Sequence, residues 1–253
     1  MLVFVVPLQS PESAKNWPYL SSLVVRSLRS LCAQTCSDFR VILVCNQRPI
    51  GYFEHPNLTL IEEPFPFPGA DRTKRMIDKF RKLQRALIEA RNDMPGYIMF
   101  CDADDCVSRR LAAWCRKHPN ENGWYFSTGY IHDKGTRFAF LRHNFHLLCG
   151  TSAIVRCQPQ DLPDTMDVDH GQNFLLSHGH PILADSMAEK GTPLRKLPFP
   201  GAVYITDTGE NDSGICYARI PSRRLQLTKW FRARYLTPWF RNEFGLRNAK
   251  GGT

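Results

Sequence analysis

The first hundred residues alternate short apolar runs with longer segments whose apolar residues recur every three to four positions. "LVFVV" near the start and "FRVILVC" at residues 39–45 are almost wholly apolar, which is typical of strands buried on both faces of a sheet. Between them the apolar residues follow helical spacing, and Asn16 is placed to cap that helix. Strand, helix and strand in this order predict an α/β fold, in which ligands bind beyond the carboxyl ends of the strands.

The alternation continues along the rest of the chain. "NLTLIEE" predicts a third strand, a Pro-rich loop follows it, and residues 71–91 predict a long amphipathic helix leading into a fourth strand, "GYIMFC". Beyond residue 109 the pattern predicts a short helix, a hairpin turning at residues 133–135, a strand in "LLCGTSAIVR", a helix opened by "TMDVDHGQNFLL" and a last strand in "GAVYIT". The length of 253 residues fits one large domain with a tail.

Charge is distributed unevenly between that domain and the tail. The formal net charge is +9, but from Arg219 onward nine Lys or Arg stand against one acid, so this segment carries +8 and the remainder +1. We therefore expect no general binding to nucleic acid. We divide the chain into a catalytic or binding domain, residues 1–218, and a basic amphipathic helical tail, residues 219–253.

The tail carries an aromatic stripe as well as its charge. Leu227, Trp230, Phe231 and Tyr235 share one side of a predicted helix, which Pro238 is expected to end. A helix of this kind either lies on an anionic membrane surface, here through residues 222–241, or packs on the domain.

The cysteines and the hydropathy bear on the compartment. Nine cysteines is an odd number, and several lie within apolar runs, which favours reduced thiols in the cytoplasm. No segment reaches the ~18 to 20 apolar residues of a membrane span. Residues 1–6 lack the basic start and longer apolar stretch of a signal peptide. We expect a cytoplasmic protein, peripheral at the inner face of the plasma membrane if the tail binds lipid.

The stretch "YIMFCDADDCVS" ends a buried strand on three carboxylates, Asp102, Asp104 and Asp105. Carboxylates this close repel one another and shift one another's pKa values unless a cation lies among them, and a divalent metal prefers such oxygen ligands. An EF-hand is excluded, because its sixth and twelfth positions would be Val107 and Ala113 rather than Gly and Glu.

Three interpretations of the acidic stretch remain. Asp102 could be the nucleophile and Asp104 the acid of a haloacid-dehalogenase-type phosphotransferase. The stretch could instead be an exposed acidic turn without chemistry. In the third interpretation Asp102 and Asp104 bind a Mg or Mn ion that bridges the two phosphates of a nucleoside diphosphate and neutralises charge on that leaving group.

Two segments favour the third interpretation. "SLCAQTCSDFRVILVCN", with Ser30, Leu31, Gln34 and Thr35, resembles the "S-L-x-x-Q-T" segment of family 2 glycosyltransferases, and "GYIMFCDADD" resembles that family's strand with its DxD motif. The likeness is good over residues 2–110 and looser to about residue 215. It implies a GT-A fold, a Rossmann-like domain with a mixed sheet flanked by helices, which binds a nucleotide-diphosphate sugar with a divalent metal.

The resemblance also implies roles for individual residues. Pro7 and Gln9 would border the nucleoside pocket with Asn46, although relatives often have an acid at that last position. Lys79 and Lys82 would reach the diphosphate, or else lie on a solvated helix face. Asp102 would contact both the donor and the metal, and Asp104 would be a metal ligand.

Two further roles fall later in the chain. In "MDVDHGQNFLL", Asp169 is expected to be the catalytic base of an inverting transfer, or else to cap the following helix. Relatives often complete the metal site with a late His in a segment like "H-G-x-N-x-S"; "TDTGENDSG" offers Asp207 and Asp212 instead, and we predict Asp212 as the third ligand.

The sequence thus predicts a metal-dependent transfer of a hexose-like sugar to an acceptor hydroxyl, on a glycan or a lipid-linked glycan. The alternative from another class is a GT-A-like binding module that lacks catalysis and docks through its basic tail. A nucleotidyltransferase, which shares the fold, would carry a Gly-rich loop after the first strand, and "PLQSPESAKNW" has no glycine.

Overall fold

The computed structural model describes residues 1–69, 71–167, 171, 173–210 and 233–246, which form two β-sheets flanked by α-helices. The strands are β1 (Leu2–Pro7), β2 (Phe39–Cys45), β3 (Leu58–Glu62), β4 (Tyr97–Phe100), β5 (Cys106–Val107), β6 (Gly123–Tyr125), β7 (Thr128–Asp133), β8 (Phe138–His143), β9 (Ala153–Arg156), β10 (Arg195–Lys196), β11 (Ala202–Thr206) and β12 (Ala233–Tyr235). The helices are α1 (Trp17–Cys32), α2 (Arg72–Ala90), α3 (Leu111–Lys117), α4 (Phe174–Ser177), α5 (Leu183–Glu189) and α6 (Pro238–Phe244).

The larger sheet has seven strands in the order β10-β6-β9-β4-β1-β2-β3. Its strands β4, β1, β2 and β3 are parallel neighbours, so their carboxyl ends share one edge. The smaller sheet has five strands in the order β12-β8-β7-β11-β5. The predicted architecture, a mixed α/β sheet flanked by helices, is confirmed.

Strand β1 is buried along its whole length and supplies side chains to both faces of the larger sheet. Phe4 lies in one core layer with Leu28 of α1, and Val5 lies in the opposite layer with Leu87 of α2. Because successive side chains of a strand point to opposite faces, an unbroken apolar run suits a strand covered by helices on both sides.

Both long helices begin where the sequence predicts. The Asn16 side chain accepts a hydrogen bond from the backbone N–H of Tyr19 at 2.9 Å, and the Asp71 side chain accepts one from the N–H of Lys74 at 2.9 Å. These bonds satisfy N–H groups that have no partner within the first helical turn. Helix α2 packs over β1 and β2, and one side of it lines a cleft at the carboxyl end of β1.

The predicted hairpin is formed by β7 and β8, which pair in antiparallel fashion around a turn containing Gly135. The helix predicted after "TMDVDHGQN" is only one turn long, α4, and Asn173 caps it by accepting from Leu175 N at 3.0 Å. Residues 168–170, where that helix was expected to open, lie outside the described residues.

The prediction of a continuous tail helix that Pro238 ends is wrong for the described part of the tail. Tyr235 belongs to β12, which pairs with β8 and extends the smaller sheet, and "GAVYIT" is therefore not the last strand. Pro238 begins α6 instead, because the first helical position needs no N–H donor. Leu227, Trp230 and Phe231 lie outside the described residues.

Residues 233–246 pack on the domain through apolar side chains. Leu236, Phe240, Phe244 and Leu246 are buried with residues of β5, β8 and β11. Gly245 ends α6 in the left-handed conformation, and a Cβ there would lie 2.6 Å from Ser30 Cα. The predicted boundary between residues 218 and 219 lies outside the described residues and stays a prediction.

Among the described residues, the longest apolar helical stretches fall short of what is needed to cross a bilayer.

Candidate active site

A cleft of about 410 Å³ opens at the carboxyl ends of β1 and β4, beneath α2. Its walls include three segments of the chain: Pro7, Leu8 and Gln9 after β1; Arg72, Arg75, Met76, Asp78, Lys79 and Lys82 on α2; and Asp102, Ala103 and Asp104 after β4. The cleft lies at the sheet edge where an α/β fold is expected to bind its ligand.

The three carboxylates after β4 have different surroundings. Asp102 and Asp104 line the cleft, whereas Asp105 is buried and points towards the protein interior. Its carboxylate accepts hydrogen bonds from the Cys149 thiol at 3.1 Å and from the backbone N–H of Ile205 at 3.3 Å. Asp105 therefore attaches the acidic loop to β11, and Asp102 and Asp104 are the two aspartates that face the cleft.

The backbone of the acidic loop is fixed from three sides. The N–H of Asp102 donates to Thr151 Oγ1 at 2.8 Å, and the N–H of Asp105 donates to the Asp102 carbonyl at 3.3 Å. Arg26 of α1 donates to the carbonyl of Asp104 at 2.8 Å. These bonds hold the backbone of the loop and so limit where its carboxylates can lie.

The "S-L-x-x-Q-T" segment supports the chain just beyond this loop. Ser30 Oγ accepts from the N–H of Val107 at 2.9 Å and lies 2.8 Å from the carbonyl of Phe244. Gln34 donates to the carbonyl of Ser108 at 3.2 Å and accepts from the N–H of Ala112 at 3.0 Å. The motif is therefore structural here: it joins the end of α1 to β5 and α3.

Lys79 and Asp102 form an ion pair across the cleft, with Nζ and Oδ1 2.6 Å apart. Burial opposes ionisation of Asp102, but the ammonium of Lys79 outweighs that effect and lowers the pKa of this carboxyl below its ordinary value. Asp102 in turn raises the pKa of Lys79. Both side chains are consequently charged at neutral pH.

Asp104 behaves in the opposite way. Burial, and then the negative charge of Asp102, raise the pKa of Asp104 to about 7. Burial and the two neighbouring acids also raise the pKa of Asp105 well above its ordinary value. The repulsion inferred from the sequence is thus present; Lys79 outweighs it at Asp102, whereas at Asp104 the opposing effects of Arg26 and Lys79 are smaller than those of burial and Asp102.

Lys82 is buried, so the alternative prediction that it lies on a solvated helix face is wrong. Its Nζ donates to Asp78 Oδ2 at 2.7 Å, one helical turn earlier, and lies 5.5 Å from the centre of the Phe65 ring. Burial lowers the pKa of Lys82, although the hydrogen bond to Asp78 counteracts this effect.

Pro7, Gln9, Lys79, Lys82, Asp102 and Asp104, all selected from sequence, border the same cleft. Asn46 does not border it: its amide donates to the carbonyl of Phe65 at 2.6 Å and so fixes the loop that carries the Phe65 ring. Asp169 and Asp212 lie outside the described residues, and their predicted roles stay predictions.

The sequence pattern did not identify some of the residues that line the cleft. Arg72 and Arg75 lie on the same side of α2 as Lys79 and Lys82, and the spacing of three, four and three residues could have grouped all four. Glu210 has no such signal, because its partners are distant in sequence: it accepts from the backbone N–H groups of Lys15 at 3.1 Å and Asn16 at 2.9 Å.

The cleft fits a divalent cation through the chemistry of two side chains. Within residues 1–69, 71–167, 171, 173–210 and 233–246, no three His, Cys, Asp or Glu are grouped as a metal site. Asp102 and Asp104 nevertheless offer the hard oxygens that Mg and Mn prefer, and a magnesium ion often uses only one or two carboxylates plus substrate phosphates. Gly150 leaves room for this arrangement, since a Cβ there would lie 2.6 Å from Asp102 Oδ2.

Comparisons with known proteins give similarity at low identity only. No family model matches the sequence, and no curated protein matches it. Among solved structures, S. aureus TarS 1-349 in complex with UDP is 14% identical with a TM-score of 0.45 over 81% of this chain and 60% of that one. A second solved structure of S. aureus TarS 1-349 is 13% identical, with a TM-score of 0.44 and the same coverage.

A third solved structure, the Francisella tularensis 2-C-methyl-D-erythritol 4-phosphate cytidylyltransferase IspD, is 10% identical with a TM-score of 0.42 over 91% of this chain and 99% of that one. The chain spans 60% of the TarS 1-349 length. At these identities and TM-scores the similarity assigns neither a family nor an activity.

Proposed function

We propose that this chain has a GT-A fold and transfers a sugar from a nucleotide-diphosphate sugar to an acceptor hydroxyl, with a divalent metal. The observation that carries the proposal is the cleft in which Asp102 and Asp104 face four basic side chains of α2. Carboxylates for a metal beside cations for phosphates are what a metal-bound diphosphate requires, whereas an exposed acidic turn requires neither.

Each part of the cleft has a separate task in this proposal. Asp102 and Asp104 would hold Mn or Mg, which when bound would offset the negative charge on the leaving diphosphate. Lys79 and Lys82 would donate to phosphate oxygens, and Pro7 and Gln9 would border the nucleoside. Arg72 and Arg75 extend the cationic side of the cleft towards its mouth.

Transfer also needs a base and a complete metal shell. We propose that Asp169 removes the proton of the acceptor hydroxyl in an inverting displacement, and that Asp212 is the third protein ligand of the metal. Support for both comes from their places in the segments "MDVDHGQNFLL" and "TDTGENDSG". Asp169→Asn should abolish turnover while leaving the affinity for the nucleotide within about twofold of that of the unaltered protein.

The binding test measures the affinities of UDP, GDP, CDP and TDP by isothermal titration calorimetry, each with and without Mn. We expect one nucleoside diphosphate to bind with micromolar affinity in the presence of Mn and at least about tenfold more weakly with EDTA. Turnover of the matching nucleotide sugar then separates a transferase from a binding module without catalysis. Binding of none of the four contradicts the proposed function.

We further propose that the acceptor is a glycan or a lipid-linked glycan, and that the segment of residues 222–241 brings the protein to an anionic membrane surface at the inner face of the plasma membrane. Trp239, Tyr235 and Arg234 are exposed together at the junction of β12 and α6. Aromatic and basic side chains are the residues that interfacial segments use.

Removing the tail would not test the membrane proposal cleanly, because Phe240 and Phe244 belong to the core. The double variant Trp239→Ser with Tyr235→Ser changes only exposed side chains. Flotation with vesicles containing phosphatidylserine should recover the unaltered protein and lose most of the variant, and zwitterionic vesicles should recover neither. Equal recovery of both proteins from the anionic vesicles contradicts the membrane proposal.

A further inference from the structure

Asp78, in the wall of the cleft, is a buried carboxylate, and one of its oxygens has no hydrogen-bond partner among the described residues. Its side chain is 9% exposed, and its Oδ2 accepts from Lys82 at 2.7 Å. Its Oδ1 is also buried and has no hydrogen-bond partner among the described residues. Asp78 is nonetheless one of the residues that line the cleft. The unpaired oxygen is therefore shielded from bulk water, in a side chain that borders the cleft.

An arrangement of this kind is costly without a ligand. A buried acceptor that lacks a partner is unfavourable, and more so if it is charged, because its lost hydration is not replaced. Lys82 compensates for the charge of Asp78 but occupies only one of its two oxygens. A hydrogen-bond donor on a molecule bound in the cleft would satisfy the second oxygen.

The position of Asp78 within the cleft indicates which part of the ligand supplies that donor. Lys79, the next residue, contacts Asp102 after β4. The pair of Asp78 and Lys82 instead lies near Phe65, whose loop is fixed by Asn46 at the end of β2. Helix α2 thus borders the metal end of the cleft through Lys79 and the β2 side through Asp78 and Lys82.

We propose that Asp78 recognises the nucleoside of the donor substrate, with Oδ1 accepting a hydrogen bond from a ribose hydroxyl or from a base N–H. This inference rests on the proposed function, since it takes the ligand to be a nucleoside diphosphate. It assigns to Asp78 a contact that was expected of Asn46, which does not line the cleft.

The test separates recognition by Asp78 from its role as a counter-ion. Asp78→Leu alone would leave the Lys82 ammonium buried without a partner and could unfold the protein. Asp78→Asn is therefore the main test variant, because its amide oxygen can still accept from Lys82 while the NH2 group that replaces the second oxygen cannot accept a hydrogen bond. Asp78→Leu with Lys82→Met is a second test variant, since replacing both members of a buried pair by apolar residues of similar size is tolerated far better than replacing one. Circular dichroism and thermal melting confirm that each variant is folded.

The readout is a ratio of affinities rather than an affinity. Calorimetry with Mn takes the nucleoside diphosphate that binds in the four-nucleotide test and compares it with its 2′-deoxy, 3′-deoxy and base N-methyl analogues. In the unaltered protein, one of the analogues should bind about tenfold or more weakly than its parent nucleotide. In both variants that ratio should fall to about one. A deoxy analogue identifies the ribose as the donor, and a methylated base identifies the base N–H.

Three results would overturn the inference in distinguishable ways. Equal binding of all analogues by the unaltered protein means that Asp78 recognises none of these donors, and the proposed function stands. An undiminished ratio in the folded variants assigns the discrimination to another residue, and again the proposed function stands. Failure of UDP, GDP, CDP and TDP alike to bind contradicts both this inference and the proposed function.

Discussion

Lys79 Nζ lies 2.6 Å from Asp102 Oδ1, so a cation of the protein occupies the carboxylate proposed to hold the metal. The pair keeps Asp102 ionised despite its burial and its neighbours Asp104 and Asp105. When a metal and a diphosphate enter, Asp102 would exchange the ammonium for the metal, and Lys79 would turn to a phosphate oxygen.

Lys79→Met tests this exchange. With the competing cation removed, binding of Mn alone should strengthen by about tenfold, whereas binding of the nucleoside diphosphate in saturating Mn should weaken by about tenfold, because a phosphate contact is lost. Free Mn is measured by electron paramagnetic resonance and nucleotide affinity by calorimetry. Lys74→Met, an exposed lysine on the same helix, is the control and should change neither value. A weaker affinity for Mn alone in Lys79→Met would contradict the exchange.

Gly150→Ala alters the geometry of the site without removing a functional group. The added Cβ would lie 2.6 Å from Asp102 Oδ2, so the carboxylate must move. We expect Mn-dependent nucleotide binding to weaken by about tenfold to a hundredfold. The melting temperature should change little, since only the end of a side chain needs to shift.

Gly179→Ala is the matched control, because its Cβ would make only an ordinary contact of 3.6 Å with Pro181. Unchanged nucleotide affinity in Gly150→Ala would show that the carboxylate of Asp102 does not need its present position.

Phe244→Ala tests whether the end of the described chain belongs to the core. Phe244 is buried against the domain, and its removal should cost about 3 to 5 kcal/mol of unfolding free energy in urea titrations. Trp239→Ala, on the same helix but 70% exposed, should stay within about 0.5 kcal/mol of the unaltered protein. Similar small losses for both variants would mean that α6 is an appendage.

The buried thiols predict both slow alkylation and a loss of stability at high pH. Burial raises the pKa of Cys45, Cys115 and Cys157 to about 12 from an ordinary value of 9. Between pH 9 and 12 the unfolded chain therefore loses thiol protons that the folded chain keeps. The stability contributed by these groups is complete below pH 9 and falls as the pH rises towards 12.

Iodoacetamide at pH 9 checks the thiol prediction by mass spectrometry of tryptic peptides. The three cysteines should react at least about a hundredfold more slowly in the folded protein than in urea. Reaction of Cys45 at comparable rates in both states would contradict the prediction.

The sequence predicts the first half of the fold well because local and global signals agree there. Strands β1 and β2 are almost wholly apolar runs, and α1 and α2 carry both their periodicity and their caps, Asn16 and Asp71. The sequence also identifies the acidic loop, because three aspartates directly after a buried strand form a local pattern.

The errors arise where partners are distant in sequence. Tyr235 fits the predicted helical stripe, but in the structure it pairs with Phe138 at the edge of β8. This strand pairing prevails over local propensity. Lys82 belongs to a basic stretch that resembles a solvated face, and only the tertiary structure shows it buried with Asp78. Glu210 contacts residues 9–16 from the other end of the domain, a relationship that no local pattern carries.

The most direct test of the central claim is the Mn-dependent binding of the nucleoside diphosphate to Asp104→Ala, measured by calorimetry at pH 8, above the pKa of about 7 for Asp104. Asp164→Ala, an exposed aspartate outside the cleft, is the control. We predict that Asp104→Ala keeps its circular dichroism spectrum and loses Mn-dependent binding, a drop of at least about a hundredfold in affinity, while Asp164→Ala binds normally. Unchanged Mn-dependent affinity in a folded Asp104→Ala protein would contradict the account.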